Sequence, residues 1–177
     1  MLWEFAILDA LQKIHAPILD TLFKAITKLG DGGIFWITLA IILLFFEKTR
    51  ICGICMLVAL VMGALVTNVV LKPLVARPRP FQINDSVRLL VGAPHDYSFP
   101  SGHSQASFAA ATAIYCNYKK WGIAALILAG LIAFSRLYLY VHFPTDVLAG
   151  MLIGIAIGAL ISRYVKEKTE GRRKERN

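Results

Sequence analysis

Three short stretches hold most of the side chains able to do polar chemistry in this chain: residues 72–80 (KPLVARPRP), 100–103 (PSGH) and 135–146 (SRLYLYVHFPTD). In the third, an Arg, a His and an Asp close an otherwise apolar run, where charged groups are costly unless they pair or work. Together the stretches supply Lys72, Arg79 and Arg136 as cations, Ser101 and the helix-start amides of Gly102 and His103 as donors, and His103 and His142 as imidazoles. A phosphoryl group in transfer spreads charge over three equatorial oxygens, so it needs several pre-placed cations and amides. This set suits the gripping of a phosphate and the cutting of its ester.

The residue types divide the labour. Arginine suits a two-pronged contact and lysine a point charge. Gly102 lets backbone and phosphate approach closely at a helix start. Of the two imidazoles, a neutral one can attack phosphorus while a protonated one gives the leaving oxygen its proton. His142 is the better nucleophile candidate because Asp146 lies close enough along the chain to hold its other ring nitrogen. His103 is then the acid. Two plainer readings stand beside these: Ser101 as a helix cap and no more, which leaves His103 unexplained, and His142 as a structural histidine at the membrane interface. Metal binding by His103, His142 and Asp146 is a further alternative, but the neighbouring cations already supply the charge that a metal would bring, so neither metal nor cofactor is expected.

In order, the stretches fit K-x6-RP, PSGH and SR-x5-H-x3-D. That series resembles the signature of the type 2 phosphatidic acid phosphatase (PAP2) family, whose core is shared with vanadium haloperoxidases and glucose-6-phosphatase. The resemblance covers residues 72–146 in detail and the following span loosely. It implies a membrane lipid phosphatase in which His142 forms a phosphohistidine that water hydrolyses, with His103 as acid. The small size and outward site resemble the undecaprenyl diphosphate phosphatases within that family, so undecaprenyl diphosphate is the expected substrate. Phosphatidylglycerophosphate or phosphatidate is the alternative. A carrier that only holds a lipid phosphate would use the cations equally well, but would not require His103, His142 and Asp146.

The elements that must position these residues are helical and apolar. With 57% hydrophobic residues among 177 and a mean hydropathy of +0.62, the chain is too apolar for a soluble domain. The expectation is an all-α, multi-pass transmembrane bundle with a PAP2/haloperoxidase-like core: one domain over residues 1–165 and a basic cytoplasmic tail over 166–177. About five spans are expected, at 34–46, 51–71, 105–118, 121–141 and 147–161, the longer ones matching the roughly 30 Å of hydrocarbon. The span at 105–118, rich in Ala, Ser and Thr, belongs inside the bundle, and Gly150, Gly154 and Gly158 allow close helix packing. Thr67 and Asn68 are best kept within the bundle. Arg136 and His142 do not share a stripe on a straight helix, so that helix must bend or end near His142. Pro144 gives a reason, and begins the last helix with Asp146 in its first turn.

Residues 73–99 read as a long functional loop or lid. Residues 2–29 read as one or two amphipathic helices on the membrane surface or against the bundle, with an extra span as the rival. Trp121, Tyr138 and Tyr140 read as residues of the membrane interface. His15 reads as a surface residue; His95, beside Asp96 in the long loop, could touch substrate. Cys52, Cys55 and Cys116 are expected to pack rather than react, and residues 1–13 lack the pattern of a signal peptide.

The formal net charge of +8 is concentrated in the tail and in the turns at Lys48/Arg50 and Lys119/Lys120. These clusters fall on one side of alternating spans, which the positive-inside rule makes cytoplasmic, with the motifs facing out of the cell membrane. That distribution argues for membrane lipids, not nucleic acid, as partners, and for a lipid phosphate or polyprenyl diphosphate as substrate; it leaves oligomeric state open. Lys72, Arg77, Arg79 and Arg88 run against the rule on the outer side. Either they serve a local anionic client, or the larger inner excess outvotes them.

Overall fold

A computed structural model describes residues 2–175, with side chains through residue 169. Among the described residues every regular element is helical. Helices α1 (Leu2–Gln12) and α2 (Pro17–Lys28) lead through a tight turn at Asp31–Gly33 into α3 (Ile34–Leu44). Gly32 and Gly33 take φ of 59° and 68° there, a left-handed conformation open to glycine at little cost. Next, α4 (Arg50–Ala64) runs into a π-helical turn (Leu65–Leu71), then come the short α5 (Lys72–Val75) and α6 (Pro80–Ile83). After a loop, α7 (Gly102–Asn117), α8 (Lys119–Tyr138) and α9 (Pro144–Glu175) complete the bundle.

Three stretches are long and apolar enough to cross a membrane: Arg50–Ile83, Lys119–Tyr138 and Pro144–Thr169. A fourth arises if α2 and the helix from Asp31 to Leu44, bent by 42° at their junction, form one broken span. As its small residues require, α7 is the central helix: most of its side chains from Ser104 to Ile114 are buried. The glycine stripe of α9 faces it. A Cβ at Gly150, Gly154 or Gly158 would lie 2.4–2.6 Å from the backbone oxygens of Ser101, Gln105 and Ala109, so only glycine allows the helices this close.

Two expectations are corrected here. Tyr138 and Tyr140 are fully buried, their hydroxyls donating to Asp20 (2.6 Å) and Asp9 (2.7 Å) of the N-terminal helices, because a phenol can be buried when its hydroxyl finds a partner. His15 is not a free surface group: its ring stacks on Tyr138 at 4.3 Å and its Nε2 meets the Tyr138 carbonyl at 3.0 Å. The N-terminal helices therefore clasp the end of α8 that precedes His142. At the other end, α9 runs past residue 165 into the basic segment as far as Glu175, while residues 176–177 of that segment lie outside the described residues.

Candidate active site

The end of α8 decides where His142 sits. The helix stops at Tyr138, and Tyr140 takes φ of 60°, a left-handed turn that folds Val141, His142 and Phe143 back under the bundle. Pro144 then starts α9 and places Asp146 in its first turn, where its Oδ2 accepts from the Phe143 backbone N–H at 2.9 Å. The π-helical turn sets Lys72 at the head of α5. Such turns recur at functional positions in proteins because they shift the helical register locally.

A cavity of about 800 Å³ brings together Lys72, Arg79, Gly102, His103, Arg136 and His142 from the three motif stretches. The polar face of α2 adds Lys24 and Lys28 to its wall. Ser101 is placed differently: fully buried, it caps α7 by accepting from the Ser104 backbone at 3.4 Å and meeting its hydroxyl at 3.0 Å, and it does not line the cavity. A serine at that position satisfies an orphan amide of the helix start.

His142 is fixed on both ring nitrogens. Its Nε2 lies 3.2 Å from Arg79 NH1, and its Nδ1 faces Asp146 Oδ2 at 3.6 Å and Ser98 Oγ at 3.5 Å. A guanidinium can only donate, so Nε2 accepts from it with its ring lone pair and Nδ1 carries the proton. Burial pushes the imidazole down to about 3; Asp146 opposes this, and the Arg79 and Arg136 cations add to it. The ring is neutral at ordinary pH, with its lone pair beside a cation.

Arg79 is held as firmly. NH1 donates to the Val141 carbonyl at 2.6 Å and Nε to the Asp96 carbonyl at 2.8 Å, leaving NH2 to donate to Asp96 Oδ1 at 2.6 Å. The other carboxylate oxygen of Asp96 pairs with Lys72. One carboxylate thus bridges the two cations in the manner of a bidentate oxyanion. Burial works to raise Asp96, but Lys72 and Arg79 outweigh it and hold the group at about 2. Arg136 is only 4% exposed; NH1 donates to Thr27 Oγ1 at 2.6 Å, and Nε is buried with no partner among the described residues. Folded proteins leave few buried donors unpaired. His103 gives its Nε2 edge to Asp31 Oδ1 at 2.8 Å. Among the described residues no three His, Cys, Asp or Glu side chains gather as metal ligands would.

The PAP2 superfamily model matches residues 52–170. The chain belongs to the PAP2 superfamily. An undecaprenyl-diphosphatase of Sulfolobus acidocaldarius is 39% identical over 143 residues, covering 80% of this chain and 68% of the relative. Undecaprenyl-diphosphatase BcrC of Bacillus subtilis is 32% identical, covering 85% and 77%. Among solved structures, the PAP2-type phosphatidylglycerolphosphate phosphatase of Bacillus subtilis superposes with a TM-score of 0.76 at 30% identity, covering 93% of this chain and 85% of that one. The all-helical PAP2 architecture and an integral-membrane phosphatase follow from these relations and the apolar helices.

Within this PAP2 fold, three carboxylates, Glu4, Asp31 and Asp96, and one arginine, Arg77, take places that the motifs alone do not indicate. Arg77 lies between the motif lysine and arginine and donates to Asp146 Oδ1 (2.6 Å), Thr145 Oγ1 (2.7 Å) and Glu4 Oε2 (2.7 Å), with its guanidinium 4.0 Å from the Phe143 ring centre. Glu4, from α1, also accepts from Thr145 Oγ1 at 2.6 Å. The N-terminal helix thus buttresses the far side of Asp146. In the long loop Asp96, not its neighbour His95, reaches the cations. The only sequence signals are a second arginine inside the first motif and a carboxylate just ahead of PSGH.

Proposed function

We propose that this chain is a lipid phosphatase that removes the terminal phosphate of a polyprenyl diphosphate, with undecaprenyl diphosphate as its substrate, through a phosphohistidine at His142. The observation that carries the reading is the lone pair of His142 Nε2, held against Arg79 in a cavity that also holds Lys72, Arg136 and His103. The terminal phosphate sits among Lys72, Arg79, Arg136 and the amides of Gly102 and His103, taking over the cation bridge that Asp96 makes. Nε2 attacks phosphorus, the bond to the leaving oxygen breaks, and that oxygen takes a proton from His103. Water then attacks phosphorus, gives its proton to His103, and the phosphorus–nitrogen bond breaks to release inorganic phosphate and restore neutral His142. Asp146 stabilises the charge that His142 acquires. The cations supply positive charge at each step, and metal is not required.

Polyprenyl diphosphate is preferred because two relatives bear that activity in their names. A phosphatidylglycerophosphate is the second reading, favoured by the name of the solved relative. We place the site at the outer face of the cytoplasmic membrane. Supporting this, the turn at Lys48, the α7–α8 junction and Lys166 are gathered at one end of the bundle, where Tyr118 donates to the Lys48 carbonyl and Lys166 to the Cys116 carbonyl, and the cavity lies at the other.

Purified protein in detergent with a chelator should release phosphate from polyprenyl diphosphate faster than from phosphatidylglycerophosphate or phosphatidate, and His142→Ala should release none while keeping its fold. Turnover by that variant would remove the nucleophile. A strong preference for a glycerolipid monoester would overturn the substrate, and dependence on added metal would overturn the metal-free chemistry. A cysteine placed at Gly92 and labelled from outside intact cells by an impermeant reagent reports which face the site occupies.

A further inference from the structure

A second cavity, of about 420 Å³, adjoins the first at His103. It shares Lys72, Asp96, Gly102 and His103 with the first but not Arg79, Arg136 or His142. Part of its wall is apolar, built from Ile37 of α3 and Leu57, Leu60 and Val61 of α4. On the proposed mechanism, the group leaving phosphorus departs opposite His142 and past His103. The second cavity, which shares Lys72 and His103 with the first, offers that group a place.

A hydrocarbon alcohol would ask only for apolar walls there, yet two amides face the same cavity. Gln105 is 2% exposed and its Nε2 has no partner among the described residues. An orphaned buried donor costs about 1–3 kcal/mol; this nitrogen lies against Gly63 of α4, where a Cβ would stand 1.7 Å from it, at the edge of the cavity that Gln105 lines. Asn68 lies in the π-helical turn, with its Oδ1 beside Gly102 near Lys72 Nζ; 3.7 and 3.8 Å separate these atoms from a Cβ built on that glycine. Neutral amides next to one shared lysine suit an oxyanion bearing a single charge. The terminal, doubly charged phosphate belongs instead with the arginines of the first cavity.

We propose that Asn68 and Gln105 form a binding subsite for the inner, lipid-bearing phosphate of a lipid diphosphate, holding the leaving group as a lipid monophosphate whose chain runs along Ile37, Leu57 and Val61. This rests on the phosphatase reading above and adds the feature that selects a diphosphate over a monoester. Gln105 donates to the inner phosphate through its orphaned Nε2 and Asn68 through its Nδ2, the Asn68 Oδ1 staying beside Gly102 near Lys72, while Lys72 spans the two phosphates.

The test compares farnesyl diphosphate with farnesyl monophosphate, which share a chain and differ by the inner phosphate, in the wild type, Asn68→Ala and Gln105→Leu. Asn68 is exposed to the cavity, so its variant keeps the test open if the buried Gln105 variant fails to fold. The ratio of kcat/KM for diphosphate over monophosphate should fall about ten-fold or more in each folded variant, the loss of one hydrogen bond to a charged group. An unchanged ratio, whether both rates fall together or neither falls, overturns the subsite while leaving the phosphatase reading intact. A wild type inert on both substrates overturns that reading itself, and the subsite with it.

Discussion

Nε2 of His142 lies 3.2 Å from NH1 of Arg79, and the same NH1 donates to the carbonyl of Val141, the residue before that histidine. One guanidinium therefore sets both the backbone that carries the imidazole and the nitrogen that stays unprotonated. Lysine keeps the charge but cannot fork. Arg79→Lys should lower kcat about 100-fold or more, the scale of removing one pre-placed donor to a reacting oxyanion, with the melting temperature measured alongside to exclude simple unfolding.

His142 also makes stability depend on pH. Its folded value, about 3, lies below the ordinary 6.5, so the folded chain refuses a proton that the unfolded chain accepts. The stability contributed by the neutral ring is fully present above about 6.5 and is lost as pH falls toward 3, by up to about 1.4 kcal/mol per pH unit. Asp96, held at about 2 against its ordinary 3.8, adds a loss only below about pH 4. Thermal unfolding in detergent should show a melting temperature that declines from pH 6.5 downward, and His142→Gln should flatten the decline between pH 6 and 4.

Arg77 stands between two buried carboxylates, Glu4 and Asp146. Removing it leaves both uncompensated, so Arg77→Met should cost about 3–5 kcal/mol, the range for breaking a buried pair from one side. Turnover should fall as well, because Asp146 loses one of the groups that hold it toward His142. Glu4→Gln should cost less, and the double variant less than the sum of the two, a non-additivity that denaturation of all three proteins would reveal.

Packing of α7 against α9 is testable at Gly154, where a Cβ would lie 2.4 Å from the Gln105 carbonyl. Gly154→Ala should destabilise by about 1–3 kcal/mol, as overpacking does. The α7 backbone carries His103 and Gln105, so phosphate release should fall with it. Gly130, with open space around it, is the control: Gly130→Ala should leave melting and turnover unchanged.

Much of this protein is determined by the sequence alone. The apolar runs fix a helical membrane bundle, the small residues of 105–118 fix which helix lies at its centre, and the glycine repeat fixes what packs on it, because each follows from periodicity or side-chain size within one segment. Spacing within the motifs likewise marks Lys72, Arg79, Gly102, His103, Arg136 and His142 as residues that line one cavity, with Asp146 behind His142. Only the tertiary structure decides the partners that come from far along the chain. Arg77 meets Glu4 across 73 residues, Asp31 meets His103 across 72, and Tyr138 and Tyr140 find Asp20 and Asp9 on helices clasped against α8. No local pattern encodes such pairs: a carboxylate on an exposed amphipathic face and one that holds an active-site group look alike in sequence until the fold brings a buried donor to it. Ser101 shows the converse, a motif hydroxyl that the start of α7 claims for its own unpaired amides.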